Sequence, residues 1–364
     1  MKIAVIISFF ESLAHPSMQE HYDNAGLITG DADWECSGII CSLDATEEVV
    51  MEAVNKKYNL IVAHHPIIFS GLKKINGKNY VERTVIAAIK NDIAVYAIHT
   101  NLDNVIGGVN GKMAELLGLT NVSVLSQKEN TLKKLFTFAP VDKADQVRNA
   151  IFAAGGGYIG KYSECSFNAE GIGTFKAGEE ADPYVGEIGK QHRENEIKIE
   201  VVFPAFLENK IISVMKMAHP YEEAAYDVVS LSNTHRGIGS GVIGELPQAL
   251  DEKSFLSLVK KVFDVPVIRH TALLNNPIKK VAYCGGAGSF LISKALASGA
   301  DAYITADIKY HEFFDANSRM LIADIGHYES EHFTINLLQE VLEQKFPNFA
   351  VLKTEVKTNP VHYF

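Results

Sequence analysis

Cysteine is scarce in this chain of 364 residues: four occur (Cys36, Cys41, Cys165, Cys284), and none forms a C-x-x-C pair. That spacing supports neither a thiolate zinc site nor a disulfide framework, and it suits a reducing compartment such as the cytoplasm. Long apolar runs are missing too, so no membrane-spanning helix is expected. The opening MKIAVIISFFESLAHP could pass for a signal peptide, but Glu11 interrupts it and no clear small-residue cleavage pattern follows. Ile3, Ile6, Ile7, Phe10 and Leu13 instead recur at helical spacing, which predicts an amphipathic first helix. Positive charge is in deficit, with 34 Lys and Arg against 44 Asp and Glu and a formal charge of −10. An acidic surface forgoes the counterion release that drives binding to phosphate backbones, so nucleic acid is not an expected partner. A small phosphorylated or nucleotide ligand stays compatible, because a local basic or metal-lined pocket overrides net charge.

What is present is ordinary globular composition, 47 % hydrophobic and 21 % charged, in a chain long enough for two or three domains. From Gly38 onward GIICSLD, TEEVVMEAVNKK, LIVAH, ERTVIAAIKN and IAVYAIHT alternate strand-like with helix-like stretches. The same grammar returns in IKKVAYC, SFLISKALAS, DAYITA, YHEFFDAN, MLIADIG and a final helix through FTINLLQEVLEQKF. Such alternation predicts an α/β fold with parallel strands and helices on their faces, in two lobes near residues 1–126 and 236–364. The middle, 127–235, spells β-α-β-β-α-β, the ferredoxin-like order, and is expected to be an inserted domain. Its interior stretch EEADPYVGEIGKQHREN is expected to be a mobile loop without a catalytic role.

Histidines at strand ends carry the functional signal, because sheet-end loops are where α/β folds gather distant residues. LIVAHHP closes a buried run with His64 and His65, and Pro66 biases His65 towards extended backbone. IHTNLDN follows the strand IAVYA; Asp103 offers a carboxylate able to bridge cations, and His99 a ligand or a partner to one. Taken alone, Asp103 reads as a turn residue. In DIGHYESEH, His327 and Glu331 are four apart, on one face if the turn is helical, although acids also suit a helix start for its dipole alone. Together His64, His65, Asp103, His327 and Glu331 form a nitrogen and oxygen set suited to two divalent ions, zinc, iron or manganese, with the water-activating chemistry of two-metal hydrolases.

Weaker features surround these. The amides of Gly285 to Ser289 in CGGAGSF offer an anion cradle, although a tight turn explains the glycines better. Asp307, Lys309 and His311 in TADIKYHE offer partners to ligands, proton shuttles or phosphate contacts. His219, Glu222 and Glu223 in AHPYEEAAY are read as a structural turn, and Asp44 and Thr46 as helix caps.

AHHP, IHTNLD, TADIKYHE and GHYESE, with YDNAGLITGD near the start, resemble the dinuclear-metal hexameric proteins known as GTP cyclohydrolase I type 2 homologues, or NGG-interacting-factor-three-like proteins. The resemblance covers both outer lobes. It implies His64, His65 and Asp103 as metal ligands from the first lobe and His327 and Glu331 from the second, around a shared cleft. It also implies a toroidal homohexamer and a PII-like or CutA-like insert. The name implies hydrolytic opening of the guanine imidazole ring of GTP with release of formate, for which His311 or His99 would move protons. No dedicated guanine-reading motif is present. A dinuclear phosphoesterase, and a non-enzymatic metal-storage, metallochaperone or regulatory assembly, are the alternatives.

Overall fold

The computed structural model describes residues 1–364. The apolar runs after Gly38 form buried strands Ile39–Asp44, Leu60–His65 and Ala94–Ala97, side by side and parallel. Helices Glu47–Lys56 and Tyr80–Lys90 supply the crossovers that parallel neighbours require. Thr46 caps the first by accepting from the Val49 amide, and Asn79 caps the second through the Glu82 amide. Gly26–Thr29 closes one edge of this sheet antiparallel to Ala94–Ala97; Val351–Lys353 closes the other, parallel to Ile39–Asp44. The amphipathic start folds as helix Ile3–Leu13 and buries Ile3, Ile6 and Phe10.

A second sheet has six strands in the order Arg269–His270, Leu321–Asp324, Ala302–Ala306, Ile278–Ala287, Gly239–Leu250 and Thr120–Gln127. The second, third and fourth of these are parallel, and the flanking strands are antiparallel to their neighbours. Each sheet therefore takes an edge strand from the opposite half of the sequence. The two expected lobes are interlocked in one compact unit, residues 1–127 with 237–364. Ile39, Val62 and Tyr96 of the first sheet share a core with Tyr283, Ile304 and Leu321 of the second. Full burial of each such side chain contributes about 1.5–3 kcal/mol, so a common core ties the stability of one sheet to the other. No helix is long and apolar enough to cross a membrane.

Residues 128–236 form a second compact unit. Strands Leu132–Pro140, Phe167–Lys176, Gln191–Pro204 and Tyr226–Ser230 alternate with helices Ala144–Ala153 and Glu208–Ala218 in β-α-β-β-α-β order. The strands are all antiparallel, with Gln191–Pro204 and Leu132–Pro140 central. Leu135, Ile199, Val201 and Phe203 pack one sheet face against Val147, Ile151, Ile211 and Met215 of the helices. The expected loop over 179–195 ends early, because Gln191–Asn195 pair with Ile172–Lys176 and lengthen a strand. These residues sit in a hairpin open to solvent, where polar side chains are no obstacle to pairing. The final helix forms where expected, over Thr334–Lys345. His327–Glu331 is a short helix of its own, and Thr334–Lys345 begins after a break.

Candidate metal centre

The strand Leu60–His65 delivers both of its terminal imidazoles to one place. His64 is fully buried and His65 nearly so. The chain leaving Ala94–Ala97 brings His99 alongside, and the single turn Thr100–Asp103 presents Asp103. From the second sheet, the chain leaves the strand Leu321–Asp324 through Gly326, whose φ of 92° suits glycine, and the turn His327–Glu331 follows. Its i, i+4 spacing places His327 Nε2 3.2 Å from Glu331 Oε2. The same carboxylate oxygen lies 3.0 Å from His65 Nε2 and 4.0 Å from His64 Nε2, while His64 Nε2 is 3.6 Å from Asp103 Oδ1. Ligand atoms of His64, His65 and His99, of His65, His327 and Glu331, and of His64, Asp103 and Glu331 lie within 4.8 Å of one another in each trio.

The outer partners of these imidazoles say most about chemistry. In all four rings Nδ1 is held by a group that only accepts: the Ile98 carbonyl for His64 (2.9 Å), Asp44 for His65 (2.7 Å), Asp23 for His99 (2.7 Å) and Asp307 for His327 (2.7 Å). The proton is thereby fixed on Nδ1, and Nε2 is the atom turned towards the cluster, as in carboxylate–histidine–metal arrangements. His64 Nε2 and Asp103 Oδ1 are buried and have no hydrogen-bond partner. Orphaned atoms of this kind are rare in native proteins and call for an occupant. A cation fits the donor set: imidazole nitrogens and carboxylate oxygens, with no thiolate.

Charge supports the same fit. Burial, and next the charge of Glu331, raise Asp103 well above the usual carboxylate range. Burial also opposes ionisation of Glu331, but contacts with His327 and His65 hold it well below that range. Burial would lower His65, yet its bonds to Asp44 and Glu331 outweigh this and push it up to about 9. Asp307 and Glu331 likewise overcome burial at His327 and push it up to about 11. Burial takes His64 the other way, down to about 3. Without an ion, two imidazolium protons thus supply the positive charge the carboxylates need.

Glycine makes the approach possible. A Cβ on Gly286 would lie 2.4 Å from Glu331 Oε1. The Gly285 and Gly286 amides donate to Asn110 Oδ1 and Ser330 Oγ, both at 2.9 Å, so they brace the cluster and do not form an anion cradle. A cavity of about 310 Å³ opens on the cluster, and Tyr22, Phe69, His99 and Phe290 are among its walls.

His64, His65, Asp103, His327, Glu331 and His99 are brought together. His311 is not: it lies exposed on the turn Tyr310–Ala316, beside Tyr310 and Phe314. Asp44, expected to cap a helix, instead orients His65 and is itself held by the Thr358 hydroxyl at 2.6 Å. Its role follows from its register opposite His65 on parallel strands, a signal visible only once the strands are paired. Asp23 was given no role by sequence reasoning. It accepts from His99, from the Thr100 amide and from the Thr100 hydroxyl, and these bonds outweigh burial to hold it at about 2. The DN in YDNAG was the available signal.

Fold and cluster together define a mixed α/β protein with a histidine and carboxylate site capable of holding metal. The chain belongs to the DUF34/NIF3 (NGG1p interacting factor 3) family, which it matches over residues 1–360. It is 39 % identical over 368 residues to a Halalkalibacterium halodurans protein named GTP cyclohydrolase 1 type 2 homolog, covering 99 % of both chains. A Bacillus subtilis protein of the same name is 38 % identical over 361 residues, 98 % of this chain and 96 % of that one. Among solved structures, a Bacillus cereus protein related to NIF3 superposes with a TM-score of 0.87 at 38 % identity, covering 100 % of this chain and 99 % of that one. A Staphylococcus aureus protein superposes at 0.78 and 30 % identity, with coverage of 100 % and 99 %. The resemblance carried by AHHP, IHTNLD and GHYESE thus extends along the whole chain.

Proposed function

We propose that the chain binds two divalent ions and is a hydrolase of nucleotide-like, phosphorylated small molecules, with ring opening of GTP as the activity its relatives' name favours. The observation that carries this is the set of four imidazoles, each anchored at Nδ1 by an acceptor, of which His64, His65 and His327 place Nε2 within 4.0 Å of Glu331 Oε2. His64, His65, Asp103, His327 and Glu331 would hold the ions, zinc, iron or manganese. When bound, such ions polarise a substrate oxygen and make water acidic enough to attack at neutral pH. The trios His65–His327–Glu331 and His64–Asp103–Glu331, which share only Glu331, support two ions over one.

The remaining residues have work of their own. His99 lines the cavity, and Asp23 holds its Nδ1 proton, so Nε2 is placed to take a proton from substrate or water. Tyr22, Phe69 and Phe290 give the mouth exposed ring faces on which a flat base can stack. Under the same proposal the protein acts in the cytoplasm as a homo-oligomer, a toroidal hexamer by family resemblance. Residues 128–236 are then a PII- or CutA-like addition, a comparison supported by their strand order.

The test is elemental analysis of purified protein, followed by assay of that preparation for formate and phosphate released from GTP. Two ions per chain with formate release supports the proposal; phosphate without formate makes the protein a phosphoesterase. Glu331→Gln should remove at least half of the bound metal, and unchanged metal content in that variant would overturn the site.

A further inference from the structure

Residues 128–236 carry a cavity of their own, about 650 Å³ in volume, within the range of small-molecule sites. Glu196 and Lys198 line it, whereas Ile197 and Ile199 between and beyond them pack towards the helices, so it lies on the opposite sheet face. The loop residues Ala181–Tyr184 and Tyr221–Glu223 bound it. One wall is aromatic: the rings of Phe175 and Tyr184 lie 6.1 and 6.2 Å from that of Tyr221. Its charged lining is one-sided, five carboxylates against one amine, Lys198.

Glu196 sets the chemistry. It is 8 % exposed, in a wall that is otherwise largely apolar. Oε1 accepts from the Tyr221 hydroxyl at 2.8 Å. Oε2 lies where a Cβ on Gly173 would come within 2.1 Å, so only glycine at 173 leaves that oxygen clear. Lys198 is engaged elsewhere: its ammonium pairs with Glu200 at 2.7 Å and sits 4.6 Å above the Phe136 ring. A sequestered carboxylate with no protein cation beside it is electrostatically unbalanced. A ligand's positive charge would restore the balance while its body rests on the rings.

We propose that this cavity binds a small organic cation, an ammonium or amidinium on an apolar or aromatic body, with Glu196 as counter-ion and Tyr184 and Tyr221 as the stacking wall. The acidic rim, Asp182, Glu222 and Glu223, draws the cation in.

Benzamidine is the probe, titrated into the full-length protein by calorimetry and ligand-observed NMR, with benzoate and benzyl alcohol as controls of equal bulk. Saturable binding of benzamidine alone is expected. Glu196→Gln should weaken it about tenfold or more. Tyr184→Ala, at an exposed ring, should weaken it severalfold without moving Tm. If Glu196→Gln fails to fold by circular dichroism, Tyr184→Ala decides alone. Equal binding of benzoate or benzyl alcohol, binding unchanged in the folded variants, or no saturation below about 10 mM would each overturn the proposal.

Discussion

Two histidine-bearing corners of this molecule contrast instructively. At the corner of residues 219–221, His219 Nε2 is 2.9 Å from the Phe138 carbonyl, and Nδ1 accepts from the Tyr221 amide at 3.1 Å. Both nitrogens are spent on backbone, and the ring works as a staple. At the end of Leu60–His65 both imidazoles give Nδ1 to an outer acceptor and turn Nε2 inward, His65 to Glu331 and His64 to a place where its own Nε2 and Asp103 Oδ1 lack any partner. Burial is similar at His219 and His64, 7 % and 0 % exposed, so burial does not separate the two roles. What separates them is whether the second nitrogen has been used.

The contrast breaks most visibly at His99. His99→Ala should retain bound metal but lose about 10²–10⁴-fold in turnover, the usual worth of a proton-transfer group. Loss of metal with turnover, read by elemental analysis of the variant, would make His99 a ligand instead. Next in size is pH. His65 and His327, at about 9 and about 11 without metal, both carry a second proton at neutral pH and must shed it to ligate. Metal uptake should therefore release protons, and affinity should fall up to about a hundredfold for each unit of acidification, as calorimetry in buffers of different ionisation enthalpy would measure. The metal-free fold should respond in the opposite sense. His65 is raised above its unfolded value of about 6.5, so its pairing stabilises fully below that pH and is lost as pH rises through about 9. Tm of chelator-treated protein should fall over that interval.

Asp44→Asn tests the outer partners. It should cost about 10–100-fold in metal affinity by competition with a chelating dye, since an amide at 44 no longer fixes the proton of His65. His219→Ala should leave metal content unchanged and destabilise by about 1–3 kcal/mol in urea unfolding, because two backbone groups lose a partner. His311→Ala should do least, with unaltered metal content and stability within about 0.5 kcal/mol.

Legibility in the sequence followed locality. His64 and His65 stood out because imidazoles closing a buried apolar run are poor filler, and His327 with Glu331 because four-residue spacing survives even in one helical turn. Asp44 was misread because its partner is 21 residues away on an adjacent strand, and only register reveals it. Asp23 lies 76 residues from His99, in a segment with no periodicity to place it. The β-α-β-β-α-β order was legible since each element carries its own apolar pattern. The exchange of edge strands was not: nothing in Val-Leu-Lys at 351–353 names Ile39–Cys41 as its neighbour.

That exchange governs how the protein is born. A chain emerging from the ribosome presents His64, His65 and Asp103 long before Glu331, and the first sheet stays a strand short until Val351–Lys353 arrive to join it. The cluster is therefore complete only after Glu331 has been made, whereas residues 128–236, whose hydrogen-bonded strands all lie within that span, are free to fold while synthesis is still under way.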